Sequence, residues 1–422
     1  MKLTVSFCLA LILSSDLLFP RFVFADSNST DMDKVVSGNS EFALDLYARL
    51  RTREGNVFFS PYSISAALAM TYAGARAGTA SQMAHTLHFD DLPPEKLHAA
   101  FSELKTYLDA IHEKGQVQLA VADSLWPQIG HDFRPDYLTL CKKYYGADVV
   151  PVDFAGHTEV AREEINHWIL EKTNKKIPEL IKPGMLDQLS RLVLVDAIYF
   201  KGNWQSKFED RLTEKQPFHI SSTMSVAASL MQQTGDFGYA EFPDAQVLEM
   251  PYAGRQISMV VLLPRSLDGL ANLEAQLTPE TLKSWTSRLV SGKVRVFFPG
   301  FTFKSQFLLE DTLSAMGMRD AFNASKADFS GMDGRKYLYI SSVIHEAFVK
   351  VDEKGTEAAA ATAVVMRASG IAMPPRQIPV FRADHPFLFL IRDNQTGSIL
   401  SQAIWEAKAH QNYSREVEPV FL

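Results

Sequence analysis

Through the first half of the chain, apolar residues recur at intervals of three and four. The intervals predict helices over residues 41–50, 63–73, 79–87, 94–112, 135–145 and 158–170. Ser60-Pro61 supplies a start signal ahead of the second. Beyond about residue 190 the pattern shifts to short runs rich in β-branched and aromatic residues. These predict strands over 192–200, 247–251, 257–263, 293–299, 343–351 and 387–391, separated by Gly, Pro and Asp. Helices crowded early and strands late define an α+β fold with large sheets. No linker, repeat or composition break interrupts residues 39–405, which read as one domain. A polar lead-in without periodicity, residues 26–38, precedes it, and an atypical polar tail, residues 406–422, follows.

Composition adds that 422 residues, 46% hydrophobic and 22% charged, suffice for a large core. A net charge of −7 argues against nucleic acid as a partner. Lys2, the apolar runs 7–13 and 17–19, and the small-residue end Val23-Phe24-Ala25 read as a secretory signal over residues 1–25. The expected location is therefore secreted and extracellular, or the periplasm or cell envelope in a bacterium; an uncleaved membrane anchor is the lesser alternative, since neither run approaches the ~20 residues a spanning helix needs. Cys8 and Cys141 leave no internal disulfide once the signal is removed, and Cys141, in a helical pattern, reads as inert core. Enzyme signatures are missing: there is no Gly-x-Ser-x-Gly elbow, no Gly-x-Gly-x-x-Gly and no Walker loop. His345-Glu346 begins like a zinc motif, but position 349 is Val. No catalytic activity, metal or cofactor is expected.

Residues 353–366, EKGTEAAAATAVVM, call for a different reading. The small-residue run 358–363 is well short of the ~12–15 residues an isolated helix needs. As a strand, it puts Thr356, Ala358, Ala360 and Thr362 on one face, without charge or bulk. Glu357, Ala359, Ala361 and Ala363 fall on the other, where the one charge can stay in water. Such a ribbon can enter between existing strands at little steric or electrostatic cost.

Residues 353–363 resemble the hinge of inhibitory serpins, the serine protease inhibitor family. Four further stretches resemble serpin signatures in serpin order: residues 56–65 (NVFFSPYSIS), 144–147 (YYGA), 192–204 (LVLVDAIYFKGNW) and 381–389 (FRADHPFLF). The resemblance spans roughly residues 39–400. It implies a metastable serpin fold of three β-sheets and eight or nine helices, with an exposed reactive-centre loop at about 353–380. A target serine protease, or a cysteine protease, would attack the loop and form an acyl-enzyme. The hinge (Glu353, Gly355, Thr356, Glu357, Ala358, Ala359, Ala360, Ala361 and Thr362) would then enter the main sheet and drag the protease with it. Gly355 is expected to let the strand run on smoothly into the loop. Ser60, Ser63, Asp196 and His345 fall where the family has its shutter, and Trp204 where insertion begins. Ordinary capping and packing would account for these residues as well.

Family spacing places the scissile bond at Ser369-Gly370, which suits an elastase-like or chymotrypsin-like protease. Arg367-Ala368, favoured by a trypsin-like one, and Met366 stay open, because the loop is three or four residues longer than is common. Counting back from Phe381 instead points nearer Met373. The helix over 94–112 mixes Lys96 and Lys105 with Glu95, Glu103 and Asp109, so a glycosaminoglycan partner is not supported. A monomer is expected. The alternative is a non-inhibitory serpin acting as a chaperone or small-ligand carrier. Two departures stand out. Asp196 replaces the family's usual Asn and brings a carboxylate toward His345, which predicts pH-sensitive sheet opening. Residues 401–406 differ from the family's last buried strand, which predicts poor packing there.

Overall fold

The computed structural model describes residues 30–53, 55–113, 117–147, 149–356 and 377–407. The helices that position the site are α1 (Asp31–Leu50), α2 (Pro61–Gly74), α3 (Ala77–Thr86), α4 (Pro94–Glu113), α5 (Pro135–Leu140) and α6 (Phe154–Lys172). Among the described residues there are ten α-helical segments, the last a single turn, Ser330–Asp333. The strands are β1 (Val57–Phe59), β2 (Val117–Pro127), β3 (Leu192–Asn203), β4 (Glu214–Ser221), β5 (Met224–Glu241), β6 (Ala245–Pro251) and β7 (Ile257–Pro264). They continue with β8 (Val290–Pro299), β9 (Phe301–Leu308), β10 (Ser342–Asp352), β11 (Gly355–Thr356), β12 (Val380–Arg382), β13 (Phe387–Asp393) and β14 (Ile399–Trp405).

The fold is α+β. One sheet of five strands has the order β2-β3-β11-β10-β9, with β3 and β10 also paired directly and parallel. The other has nine strands, β1-β14-β13-β7-β6-β5-β8-β12, with β4 alongside β5. The 18-residue β5 pairs with β4, β6 and β8 along different parts of its length. Divided at β5, this sheet becomes two, which gives the three expected. The larger core lies between the two sheets and under α1, α2 and α4, and includes Phe42, Leu68, Phe101, Ile198, Phe298 and Phe389. A smaller one lies where Phe154, Ile165 and Ile169 of α6 meet Val193 and Val195 of β3 and Ile344 of β10, so α6 covers the outer face of the five-stranded sheet.

Two sequence expectations are corrected here. The aperiodic lead-in, residues 26–38, overlaps α1, which starts at Asp31 behind a reciprocal capping box of Thr30 and Asp33. Its period is broken by Gly38, where a Cβ would come within 2.4 Å of the His88 carbonyl oxygen, and by the buried Asn39 beside it. Close helix packing, not disorder, explains the polar pattern. The last strand is also well formed: β14 is buried throughout and pairs with both β13 and β1. Its departure from the expected pattern shows in polar groups instead, since the amide of Gln402 and the indole N–H of Trp405 are buried without a hydrogen-bond partner.

Candidate functional site

The hinge lies at the end of the five-stranded sheet where β3 and β10 diverge. Strand β10 ends at Asp352, the chain reverses over Glu353 and Lys354, and β11 returns between its neighbours. Gly355 pairs with Asp352 and Asn203, and Thr356 with Val351 and Gly202, antiparallel on both sides. The turn is fixed by Asp352, whose Oδ1 accepts the N–H groups of Lys354 (3.0 Å) and Gly355 (3.2 Å). The expected smooth run from β10 into the loop is therefore corrected to a hairpin. Glycine is required at 355 because the backbones approach closely: a Cβ there would lie 2.1 Å from the Gly202 carbonyl oxygen.

Around this hairpin the residues singled out from the sequence converge. The Trp204 indole donates to the Asp352 carbonyl (3.0 Å) and stacks on Tyr252 at 4.7 Å between centroids and 10° between planes. The Tyr252 and Thr356 hydroxyls are 2.8 Å apart, and Thr356 is fully buried. Backbone N–H groups of Trp204 and Phe208 donate to the carbonyls of Lys354 and Glu353, both at 2.9 Å. The Glu353 carboxylate accepts the Thr213 hydroxyl at 2.6 Å. Tyr252, Thr213 and Gly202 were missed by sequence reasoning; an aromatic just past β6 carries no spacing signal of its own.

Farther along the same sheet, Ser60, Ser63, Asp196 and His345 meet in one buried network. Ser60 caps α2: its hydroxyl accepts the Ser63 N–H at 3.1 Å and donates to the Leu400 carbonyl at 2.6 Å. His345 bridges α2 and β3. Its Nε2 accepts the Ser60 N–H at 3.1 Å, and its Nδ1 lies 3.0 Å from Asp196 Oδ2. A backbone N–H can only donate, so the imidazole proton sits on Nδ1 and is given to Asp196. The expected approach of Asp196 to His345 is present. Ser63 also touches Asp196 Oδ1, and it lies 3.0 Å from Asp123 Oδ1. Asp123 had not been singled out, because β2 alternates weakly and was not recognised as a strand. Burial, then the neighbouring Asp196 charge, holds the Asp123 carboxyl well above the usual carboxylate range.

Other sequence readings find their places. His345-Glu346 lies on a strand, so the two side chains face opposite sides; Glu346 pairs with Lys304 at 3.2 Å, and its carboxyl is raised chiefly by burial. Cys141 is buried and unbridged, its thiol pushed up to about 11 by burial. Of the hinge, Glu357, Ala358, Ala359, Ala360, Ala361 and Thr362 lie outside the described residues. The same holds for the reactive-bond candidates Met366, Arg367, Ala368, Ser369 and Gly370, and for residues 1–29 and 408–422. Among the described residues no helix is long and apolar enough to cross a membrane.

The family model described as "Serpin (serine protease inhibitor)" matches residues 37–403. Leukocyte elastase inhibitor A of Rattus norvegicus is 43% identical over 382 residues, covering 87% of this chain and 98% of that protein. The leukocyte elastase inhibitor of Homo sapiens is 42% identical over 380 residues, with the same coverage. Among solved structures, uncleaved ovalbumin is similar with a TM-score of 0.80 at 31% identity, covering 89% of this chain and all of that one. A highly specific serpin of the insect Tenebrio molitor gives 0.79 at 29% identity, covering 91% of this chain and 100% of the other. The leukocyte elastase inhibitors are intracellular serpins, which overturns the expectation of a secreted, extracellular protein. The reading of residues 1–25 as a secretory signal finds no support among them.

Proposed function

The chain belongs to the serpin family of serine protease inhibitors, and is thus an inhibitor rather than an enzyme; on that premise we propose that it traps its target as a suicide substrate. The target is a serine protease, elastase-like enzymes among them, as the names of its relatives suggest.

The observation that carries the mechanism is the register of β11. Thr356 already stands between Gly202 of β3 and Val351 of β10. Continued antiparallel, residue by residue, that register would set Ala358 between Phe200 and Val349, and Ala360 between Ile198 and Ala347. It would set Thr362 between Asp196 and His345. Small side chains would meet the apolar pairs, and a hydroxyl would replace the direct Asp196–His345 hydrogen bond. On the outer face, Glu357 would fall between Lys201 and Lys350, while Ala361 and Ala363 would pass beneath α6. Each inserted residue fits what it would meet, without a buried unpaired charge or an overpacked site.

The same count would bring Met366 level with Leu192, the first residue of β3. Arg367 and Ser369 would both lie past the end of the strand, so the count accommodates either as the acyl-bearing residue. Family spacing favours Ser369-Gly370, and with it an elastase-like or chymotrypsin-like target. A new central strand with backbone hydrogen bonds on both sides contributes on the order of 10 kcal/mol, at ~1 kcal/mol per bond. That gain is available only after the loop is cut.

Incubation with elastase-like, chymotrypsin-like and trypsin-like serine proteases tests this on a denaturing gel. The expected result is a covalent adduct, strongest with the elastase-like enzyme, with mass analysis of the released C-terminal peptide reporting cleavage after Ser369. Clipped protein with no adduct for any of the three would contradict trapping and support the carrier or chaperone alternative.

A further inference from the structure

Asp123 of β2 and Asp196 of β3 are direct cross-strand partners, so their carboxyls share one face of the sheet. The Ser63 hydroxyl touches both, at 3.0 Å from Asp123 and closer still to Asp196. A hydroxyl carries a single proton, so it can donate to one carboxylate only. Asp196 also receives the Nδ1 proton of His345, whose other nitrogen is occupied by the Ser60 N–H. Asp196 is thus the better-compensated anion. Two ionised carboxylates would leave Asp123 facing Asp196 and a hydroxyl with no second proton to give.

We propose that Asp123 is the protonated member of this pair in the closed sheet, donating to Ser63 or Asp196, and that its ionisation loosens the sheet as pH rises. Six elements surround it: α2 with Tyr62 and Ser63, β3 with Asp196, β10 with His345 behind Asp196, α4 with Lys105, Asp109 and His112, the helical segment Cys141–Tyr145 with Tyr145, and α6 with Lys172. The Lys105 ammonium is bound to Asp109 at 2.5 Å, which reduces what it offers Asp123. A cavity of about 310 Å³ is lined by Asp123 together with residues of α2, α4, β2 and α6.

The consequence for function rests on the trapping mechanism, since β3 is the strand that must part from β10. A carboxyl that binds its proton more tightly in the fold than in the unfolded chain contributes stability that is complete below about pH 4. That stability is lost as pH rises through the raised value.

The test needs no protease, so its failure would leave the trapping mechanism standing. Melting temperatures of the intact wild type and Asp123→Asn are compared from pH 4 to 9. Asparagine mimics the protonated acid, so the two should melt together at about pH 4, where the acid is protonated in both folded and unfolded chains. The variant should then gain with rising pH, by roughly 2–4 °C. Asp196→Asn, which removes the facing charge, should reduce the wild-type decline over the same range and serves if Asp123→Asn fails to fold. A variant less stable than wild type at every pH, a difference that stays flat, or an unchanged decline in Asp196→Asn would overturn the proposal.

Discussion

On the proposed mechanism Thr356 would be the residue on which the hinge turns. It is fully buried, its hydroxyl meets that of Tyr252, and it is already hydrogen-bonded into the sheet on both sides. A guanidinium there would be desolvated with no carboxylate facing it, a penalty of several kcal/mol. Thr356→Arg is therefore expected to be cleaved as a substrate, with the ratio of adduct to clipped product on a gel falling at least ~10-fold. An unchanged ratio would mean that insertion does not proceed through this position. Thr356 was legible in the sequence through period-2 alternation alone. Gly355 was legible as necessary but for the wrong reason, because a hairpin and a carbonyl 2.1 Å from the missing Cβ are facts of tertiary approach. Asp123 was not legible, since its importance comes from a partner 73 positions away in the chain.

At the scale of the element, β3 and β10 are the rails along which the loop would travel. Lys201 and Lys350 would flank Glu357 on the outer face, and exposed ion pairs contribute ~0.2–1 kcal/mol each. Reversing both, Lys201→Glu with Lys350→Glu, should slow adduct formation at saturating protease by ~2–20-fold, and the deficit should shrink at high salt. Equal rates for variant and wild type at low salt would contradict the register. The first six helices were the most legible elements, amphipathic α4 with its apolar stripe above all, whereas α2 is buried nearly all round and the four short later helices had no predicted counterpart. Strands were less so. Buried β3 and β7 announced themselves as solid apolar runs, whereas β2 and β9 mix polar and apolar positions and β11 is two residues long. The misjudged β14 is instructive: Ser401 and Gln402 look like surface, yet both are buried because strands flank β14 on either side.

Considered as a whole, the molecule holds a five-stranded sheet in which β3 and β10 pair directly and parallel, with Gly355 and Thr356 between them at one end among the described residues. Parallel pairing is slightly weaker per residue than antiparallel pairing. Threading the loop between these strands would replace one parallel ladder by two antiparallel ones. On the proposed mechanism that exchange would follow cleavage, and the closed fold would until then stand above its own minimum. Metastability of this kind would be readable only through the small-residue run, since neither composition nor periodicity distinguishes a waiting structure from a settled one. The most direct measurement is thermal: nick the loop with a protease that is not trapped, and compare the melting temperatures of nicked and intact protein. A gain near 10 kcal/mol predicts that the nicked form melts on the order of 20 °C higher or more. Coincident melting of the two forms would contradict the account.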